Sequence, residues 1–211
     1  MLKTIGIFGG TFDPIHIGHL RMALELKQHL GLDEMRLMPC HQPPHRAAPG
    51  VTSEHRAAMT RLAVAQCPEL TVDERELRRD KPSYTVETLI EMREELGRDV
   101  SLCLAMGMDS LVNFPRWVRS QEILALANLV VAARPGWSLP EQGEAAQLLV
   151  RHQMEATELK TRPGGGIVVD TLRLLPISAT EIREQIVAGI SPQFLLPDSV
   201  WAYICEQDLY R

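Results

Sequence analysis

The chain has 211 residues and a formal net charge of -5, and 45% of its residues are hydrophobic. This size is typical of one folded domain with a sizeable core, and the acidic balance disfavours a nucleic-acid partner. The cysteines are scattered without a Cys-x-x-Cys pair, which argues against a zinc ribbon or a redox motif. We therefore expect one domain spanning residues 1–211 and no nucleic-acid partner.

Two further features of the sequence bear on the cellular location of the protein. The N-terminal apolar run breaks at Gly9-Gly10 and does not reach the small-residue cleavage site of a signal peptide. The longest apolar tract, residues 123–133, contains Asn128 and is shorter than the ~18 residues that suggest a membrane helix. We expect a cytoplasmic protein without a membrane span.

Short strands alternate with helices along the chain. The first half predicts strands at 3–8, 35–38 and 70–72 and helices at 17–30, 53–66 and 84–96. The second half predicts strands at 100–105, 129–133 and 167–175 and helices at 139–157, 178–188 and 198–208. This alternation predicts a Rossmann-like, doubly wound α/β fold, with helices on both faces of a mostly parallel sheet. The C-terminal helical part, from about residue 177, is expected to pack on that sheet, and ligands are expected at the carboxyl ends of the strands.

The stretch Gly-Gly-Thr-Phe-Asp-Pro-Ile-His-Ile-Gly-His, residues 9–19, follows the first predicted strand. Glycines at a strand end let main-chain N–H groups approach a phosphate. The stretch lacks both the Gly-x-Gly-x-x-Gly of dinucleotide-binding loops and the lysine of a P-loop. His16 and His19 stand at the next helix start, where imidazole N–H groups and the helix dipole favour an anion. We therefore predict a phosphate loop that uses histidines in place of the lysine.

A second motif lies near the other end of the chain. Ser178 and Glu181 form a capping-box pattern, and Arg183 falls in the early turns of the helix that it opens. Together with residues 9–19, the stretch Ile-Ser-Ala-Thr-Glu-Ile-Arg at 177–183 resembles the two signatures of the nucleotidylyltransferase superfamily. Class I aminoacyl-tRNA synthetases share the His-Ile-Gly-His element, but a short acidic chain lacks room for their anticodon-binding module.

Three further stretches are similar to bacterial nicotinate-nucleotide adenylyltransferases: residues 43–46, residues 82–85, and residues 107–109 leading to Trp117. The resemblance extends from residue 5 to about 184, although residues 137–166 align with no motif. It implies transfer of AMP from ATP to nicotinate mononucleotide in NAD biosynthesis, giving nicotinate adenine dinucleotide and pyrophosphate. The attack is expected to be direct and in line, without a covalent enzyme intermediate. Mg²⁺ is expected to arrive with ATP, and no residue is assigned as a metal ligand.

The resemblance assigns three groups of site residues. The expected catalytic residues are His16, His19 and Arg183. The expected ATP-binding residues are Gly9, Gly10, Thr11, Phe12, Gly18, Gly107, Arg134, Ser178 and Thr180. The expected nicotinate mononucleotide-binding residues are His45, Arg46, Tyr84, Thr85, Asp109, Trp117 and Val118. The family commonly has serine where this chain has Ala179, and this departure bears on ATP affinity.

Several alternatives stay open from the sequence. The pair His45-Arg46 could be a solvated basic turn, Trp117 a core residue and Asp109 a helix cap. A zinc hydrolase could use four histidines as metal ligands, namely His16, His19, His41 and His45. The sequence contains no His-Glu-x-x-His motif, which argues against this alternative. The remaining alternatives are a phosphopantetheine adenylyltransferase and a non-catalytic nucleotide-binding module. Residues 82–85 argue against the first of these.

Overall fold

A computed structural model of the chain describes residues 1–43, 50–136 and 141–211. The strands of this part of the chain form one sheet in which every pairing is parallel. They are β1 (Lys3–Gly10), β2 (Glu34–Pro39), β3 (Leu70–Val72), β4 (Val100–Gly107), β5 (Asn128–Ala133) and β6 (Ile167–Thr171). Their order across the sheet is β3-β2-β1-β4-β5-β6, which confirms the predicted doubly wound arrangement.

Helices lie between the strands and after β6 in the described ranges. They are α1 (Ile17–Leu30), α2 (Ser53–Val64), α3 (Thr85–Leu96), α4 (Met108–Asn113), α5 (Ser120–Leu126), α6 (Gly143–His152), α7 (Ala179–Val187) and α8 (Asp198–Glu206). Short 3₁₀ segments lie at Arg75–Arg78, Phe114–Arg116 and Ala156–Lys160. The first helix begins and ends where predicted. It ends at Leu30 because Gly31 adopts the left-handed conformation that terminates a helix (φ 57°).

The sheet separates two apolar cores. Side chains alternate between the faces of a strand, so β1 directs Ile5 and Ile7 to one core and Phe8 to the other. The Phe8 side is covered by α1, α7 and α8, and the opposite side by α3, α4 and α5. Helices therefore cover both faces of the sheet, as the alternating pattern predicts.

The connections change direction between β1 and β4. From β1 the chain proceeds outward through β2 to β3, and then returns to the middle of the sheet at β4. The loops that follow β1 and β4 therefore leave in opposite directions and open a crevice at the carboxyl ends of these two strands. Gly10 ends β1 and Gly107 ends β4, so the predicted phosphate loop lies at this crevice.

Two predicted elements are wrong in extent. The predicted helix at 139–157 starts outside the described residues, and α6 covers only Gly143–His152 of it. It ends because Gln153 turns extended and pairs with Ile167 beside β6. The predicted strand at 167–175 stops at Thr171, and a local bond from the Leu174 N–H to the Leu172 carbonyl replaces sheet pairing. The predicted helices also omit α4 and α5, two short helices whose apolar residues pack against neighbouring elements, although the alternative for Asp109 placed a helix start near residue 108.

Candidate active site

Two cavities open at the carboxyl ends of β1 and β4. The first has a volume of about 800 Å³ and the second of about 500 Å³. The residues that line both are Phe8, Gly9, Gly10, Thr11, Asp109 and Ser110. The cavities therefore adjoin over the predicted phosphate loop, and together they have room for two ligands that meet at one point.

His16 and His19 cap the start of α1 reciprocally. The Nδ1 atom of each ring accepts the main-chain N–H of the other residue, both at 3.3 Å. The rings stack with centroids 3.6 Å apart. Because each Nδ1 is an acceptor, the neutral rings carry their proton on Nε2. Each histidine can then direct a single N–H donor to an anion in the first cavity, which both residues line.

The charge of His16 is fixed by burial. Burial lowers its pKa from an ordinary 6.5 to about 4, so the ring is neutral at physiological pH. Protonation would place a hydrogen on Nδ1, where the structure needs an acceptor for the His19 N–H. The phosphate loop thus offers a neutral N–H donor at His16, and the positive charge near the first cavity comes from other groups.

This lowered pKa predicts a pH dependence of stability. Below its ordinary pKa, His16 binds a proton in the unfolded chain but not in the folded one, so the free energy of unfolding falls as the pH drops from about 6.5 to about 4. The pKa difference corresponds to a loss of about 3 kcal/mol at the acid end. Urea unfolding of the wild type and of His16→Asn at several pH values measures it. Asparagine keeps an acceptor oxygen without titrating, and equal pH dependence in both proteins would contradict the assignment.

Phe12 supports the histidine pair from the core side. Its side chain is buried, and its ring meets the His19 ring edge-on with centroids 5.2 Å apart. The backbone of Phe12 is left-handed (φ 49°), which turns the ring back over Gly10. A Cβ atom on Gly10 would lie 2.6 Å from that ring, so only glycine fits there. Phe12 lines the first cavity and also contacts His19, and its predicted contact with ATP stays a prediction.

The structure gathers most of the predicted ATP residues around the first cavity. Its lining includes Gly9, Gly10, Thr11, Phe12, Gly18, Arg134, Ser178 and Thr180, together with His16, His19 and Arg183. Gly107 is the exception, since it lines the second cavity and is the N-cap residue of α4. The alternative that Asp109 is a helix cap is therefore wrong, because its exposed carboxylate lies one residue inside α4 and faces both cavities.

The start of α7 faces the first cavity without a side-chain cap. Ser178 is the N-cap residue, but its hydroxyl makes no capping bond, so the predicted capping box with Glu181 is wrong. Ser178, Ala179 and Thr180 line the cavity instead. An uncapped helix N-terminus directs its first N–H groups and the positive end of its dipole outward, which favours an anion. This arrangement depends on the backbone and is available even with alanine at position 179.

Arg183 lies one turn further along α7, with its side chain 31% exposed. Its Nη1 atom donates to the Asp13 carbonyl at 2.7 Å, and its Nη2 atom lies 3.4 Å from the Thr180 hydroxyl. These contacts fix the guanidinium on the wall of the first cavity. Arg183 is therefore a cation held beside the uncapped start of α7.

The second cavity contains part of the predicted mononucleotide site. Thr85, Asp109 and Trp117 line it. Trp117 is half-buried against Phe114, with ring centroids 5.6 Å apart, so it is partly a core residue and still exposes part of its ring. Thr85 is the first residue of α3, whose N-cap residue Tyr84 provides no side-chain cap.

The other predicted mononucleotide residues are placed differently. Tyr84 packs against the core on the α3 side of the sheet, and Val118 is exposed beside Trp117. His45 and Arg46 lie outside the described residues, although Pro43, two positions before His45, lines the second cavity. Contact of these four residues with a mononucleotide stays a prediction.

Comparisons with known proteins agree with this geometry. Residues 7–185 match the Cytidylyltransferase-like family. A probable nicotinate-nucleotide adenylyltransferase of Cellvibrio japonicus is 58% identical over 211 residues, with 100% of both chains covered. Another from Aeromonas salmonicida is 53% identical, covering 100% of this chain and 99% of its own. The chain belongs to the nicotinate-nucleotide adenylyltransferase family.

Solved structures show the same fold. The nicotinic acid mononucleotide adenylyltransferase of Plasmodium falciparum, complexed with NaAD, superposes with a TM-score of 0.71 at 16% identity. The match covers 99% of this chain and 97% of that one. Among the described residues of this adenylyltransferase family member, no helix is both long enough and apolar enough to cross a membrane.

Sequence reasoning missed two buried charged residues beneath the adenylyltransferase site. Glu76 lines the second cavity and accepts a bond from the Thr88 hydroxyl at 2.7 Å. Burial raises the pKa of Glu76, while the hydroxyls of Thr88 and Ser83 oppose that rise. Glu76 thus places a carboxyl group on the wall of that cavity. Glu76 stands in a strongly charged stretch, 73–81, where burial has no sequence signal.

Arg56 is the second missed residue, and it is 1% exposed. Its Nη1 donates to the carbonyls of Thr11 and Cys40, both at 2.7 Å, and its Nη2 donates to the His41 carbonyl at 2.8 Å. One guanidinium on α2 thus ties the phosphate loop after β1 to the segment after β2. No periodic pattern marks Arg56, because its partners are main-chain carbonyls distant in sequence.

Proposed function

We propose that this chain transfers the adenylyl group of ATP to nicotinate mononucleotide, forming nicotinate adenine dinucleotide and pyrophosphate. The observation that carries the proposal is the junction of two cavities at the switch point of the sheet. The first has the donors and cations that a triphosphate needs, and the second has an uncapped helix start and an indole ring. Membership of the family supports the same reaction.

The geometry favours direct transfer. A mononucleotide in the second cavity would place its phosphate at the shared lining of Gly9, Gly10 and Thr11. One of its oxygens attacks the α-phosphorus of ATP, and the bond from that phosphorus to the oxygen bridging to the β-phosphate breaks. Pyrophosphate then leaves toward Ser178 and Arg183 at the start of α7. The enzyme forms no covalent bond, so catalysis depends on positioning and on stabilising charge at the phosphoryl oxygens.

The histidine pair supplies the donors at the reacting phosphate. The rings stack and both residues line the first cavity, and reciprocal capping through Nδ1 fixes the orientation of the rings. Preorganised donors of this kind gain strength as negative charge develops on the oxygens in the transition state. We assign His19 to the transferring phosphate, because it is less buried than His16 and lies against Phe12 at the cavity wall.

Mg²⁺ is proposed to enter with ATP. In the ranges that the structure describes, no three His, Cys, Asp or Glu side chains are grouped as metal ligands. Mg²⁺ bound with nucleotides is usually held mainly by phosphate oxygens and water. When bound, the ion neutralises phosphate charge, and no protein ligand is assigned to it.

An acceptor panel tests the reaction. Pyrophosphate release is measured with ATP, Mg²⁺ and either nicotinate mononucleotide or phosphopantetheine, and without any acceptor. We expect release to require the mononucleotide. Release with phosphopantetheine alone would indicate the other adenylyltransferase activity, and no release with any acceptor would favour the non-catalytic nucleotide-binding module.

Arg183→Ala is expected to raise the KM for ATP by about tenfold or more and to change the KM for the mononucleotide little. The guanidinium faces the first cavity, and alanine removes its charge and its N–H donors. Steady-state kinetics with each substrate varied in turn measure both constants. Arg151→Ala, an exposed change on α6, is the matched control. A rise confined to the mononucleotide KM would mean that the substrates occupy the opposite cavities.

A further inference from the structure

Asp13 forms a buried polar centre within the phosphate loop, at the wall of the first cavity. The residue is 6% exposed, yet both of its carboxylate oxygens are occupied. Oδ1 accepts the hydroxyl of Tyr210 and Oδ2 accepts the N–H of Gly50, each at 2.7 Å. Tyr210 lies after α8, so the segment that follows α8 contacts the loop between β1 and α1.

The same centre contacts the cation proposed to hold the ATP phosphates. Arg183 donates to the main-chain carbonyl of Asp13 at 2.7 Å, while its Nη1 lies 3.7 Å from Oδ2. The guanidinium is therefore near the carboxylate without a close, bidentate ion pair. A bidentate pair is the geometry that arginine and carboxylate prefer, and it would engage N–H donors of Arg183 with Asp13 instead of with an anion in the cavity that both residues line.

We propose that Tyr210 is a positioning residue for ATP binding: its hydroxyl occupies the Asp13 carboxylate, and the Arg183 guanidinium stays directed at the first cavity. The inference rests on the proposed function in taking ATP as the ligand of that cavity and Arg183 as a contact of its phosphates. Tyr210 acts through Asp13 and Arg183 and contacts no substrate itself.

The surroundings of Tyr210 fit this role. Burial and the nearby Asp13 carboxylate raise the pKa of the Tyr210 hydroxyl, so it remains a protonated donor. A Cβ atom added to Gly50 would lie 3.2 Å from the Tyr210 ring and 3.4 Å from the Arg183 side chain. The ring, the glycine and the arginine are thus packed closely, and a small change at the hydroxyl acts on the guanidinium. Leu209 anchors the segment, because it is buried and its N–H donates to the Ile204 carbonyl at 3.0 Å.

Tyr210→Phe tests the proposal with ATP binding as the readout. Phenylalanine keeps the ring and leaves Oδ1 of buried Asp13 without its donor, so Arg183 is the nearest cation to satisfy it. We expect the dissociation constant of MgATP, measured by calorimetry without acceptor, to rise about fivefold to tenfold. The matched control is Tyr203→Phe on α8, which removes a hydroxyl that is hydrogen-bonded to His55 of α2. This variant should leave the dissociation constant of MgATP unchanged.

A double-variant cycle separates positioning from a general structural role. In the Arg183→Ala background, Tyr210→Phe should cause no further loss of ATP affinity, because the group that it positions is absent. An equal loss in both backgrounds, or an unchanged constant in the single variant, would overturn the proposal.

A second pair of variants covers the case in which Tyr210→Phe alone does not fold. Asp13→Asn removes the charge that would capture Arg183, so Asp13→Asn with Tyr210→Phe should bind ATP like Asp13→Asn alone. Further loss in that double variant would overturn the proposal. Because binding is measured without acceptor, failure of the acceptor panel and failure of this inference give different results.

Discussion

His19→Ala is expected to lower kcat by about two to three orders of magnitude, with a much smaller change in substrate binding. The Nε2–H group of His19 is proposed to donate to the transferring phosphate, and such a donor acts mainly in the transition state. The same ring also accepts the His16 N–H through Nδ1, so alanine removes a helix cap as well as the donor. Loss of that cap costs about 1 kcal/mol of stability, which a folded enzyme of this size tolerates.

Two further variants separate the two roles of the His19 ring. Asparagine places an acceptor where Nδ1 lies and nothing where Nε2 lies, so His19→Asn should keep the stability of the wild type and lose kcat. Glutamine places an amide N–H near the position of Nε2, so His19→Gln should recover part of kcat. Stopped-time assays at saturating substrates, paired with urea unfolding, measure both properties. Near-normal kcat in His19→Asn would mean that the ring serves only as a cap.

The second large effect is selectivity for the acid. We expect kcat/KM for nicotinate mononucleotide to exceed that for nicotinamide mononucleotide by at least about two orders of magnitude, or roughly 3 kcal/mol. The start of α3 at Thr85 lines the second cavity without a side-chain cap, so its first N–H groups can donate to a carboxylate. An amide would present its own N–H group to those donors and leave one unpaired.

Initial rates with the two mononucleotides, measured side by side, test this selectivity. Trp117→Ala is an informative companion, because loss of the indole should weaken both acceptors alike while the ratio between them persists. Comparable kcat/KM values for the two mononucleotides in the wild type would show a dual-specificity enzyme and refute an acid-selective pocket.

The fold was largely predictable because its signals are local. Residues 3–8 form a short apolar run closed by glycines, and the following helix ends at a glycine that adopts the left-handed conformation. The errors occur where pairing between residues distant in sequence determines the end of a helix or strand. Gln153 leaves α6 to pair with Ile167, and nothing in the residues around Gln153 marks that partner.

In the candidate site, too, residues in local motifs were predictable and residues with partners distant in sequence were not. His16, His19 and Arg183 belong to short sequence motifs, so their common place at one cavity was predictable from the order of the strands and helices. Arg56 and Tyr210 act through main-chain carbonyls or a carboxylate brought near only by folding, 45 and 197 residues away in sequence. Charged and aromatic residues of this kind look like surface or core residues until the tertiary structure identifies their partners.

Following the α-phosphorus of ATP tests the proposed reaction most directly. Purified protein is incubated with Mg²⁺, nicotinate mononucleotide and ATP carrying radioactive phosphorus at the α position, and label is quantified in dinucleotide, AMP and precipitated protein during single turnover. We predict that label appears in nicotinate adenine dinucleotide in step with pyrophosphate release, with none on the protein. Label that accumulates on the protein before the dinucleotide forms, or that ends in AMP, would contradict direct transfer between the two cavities.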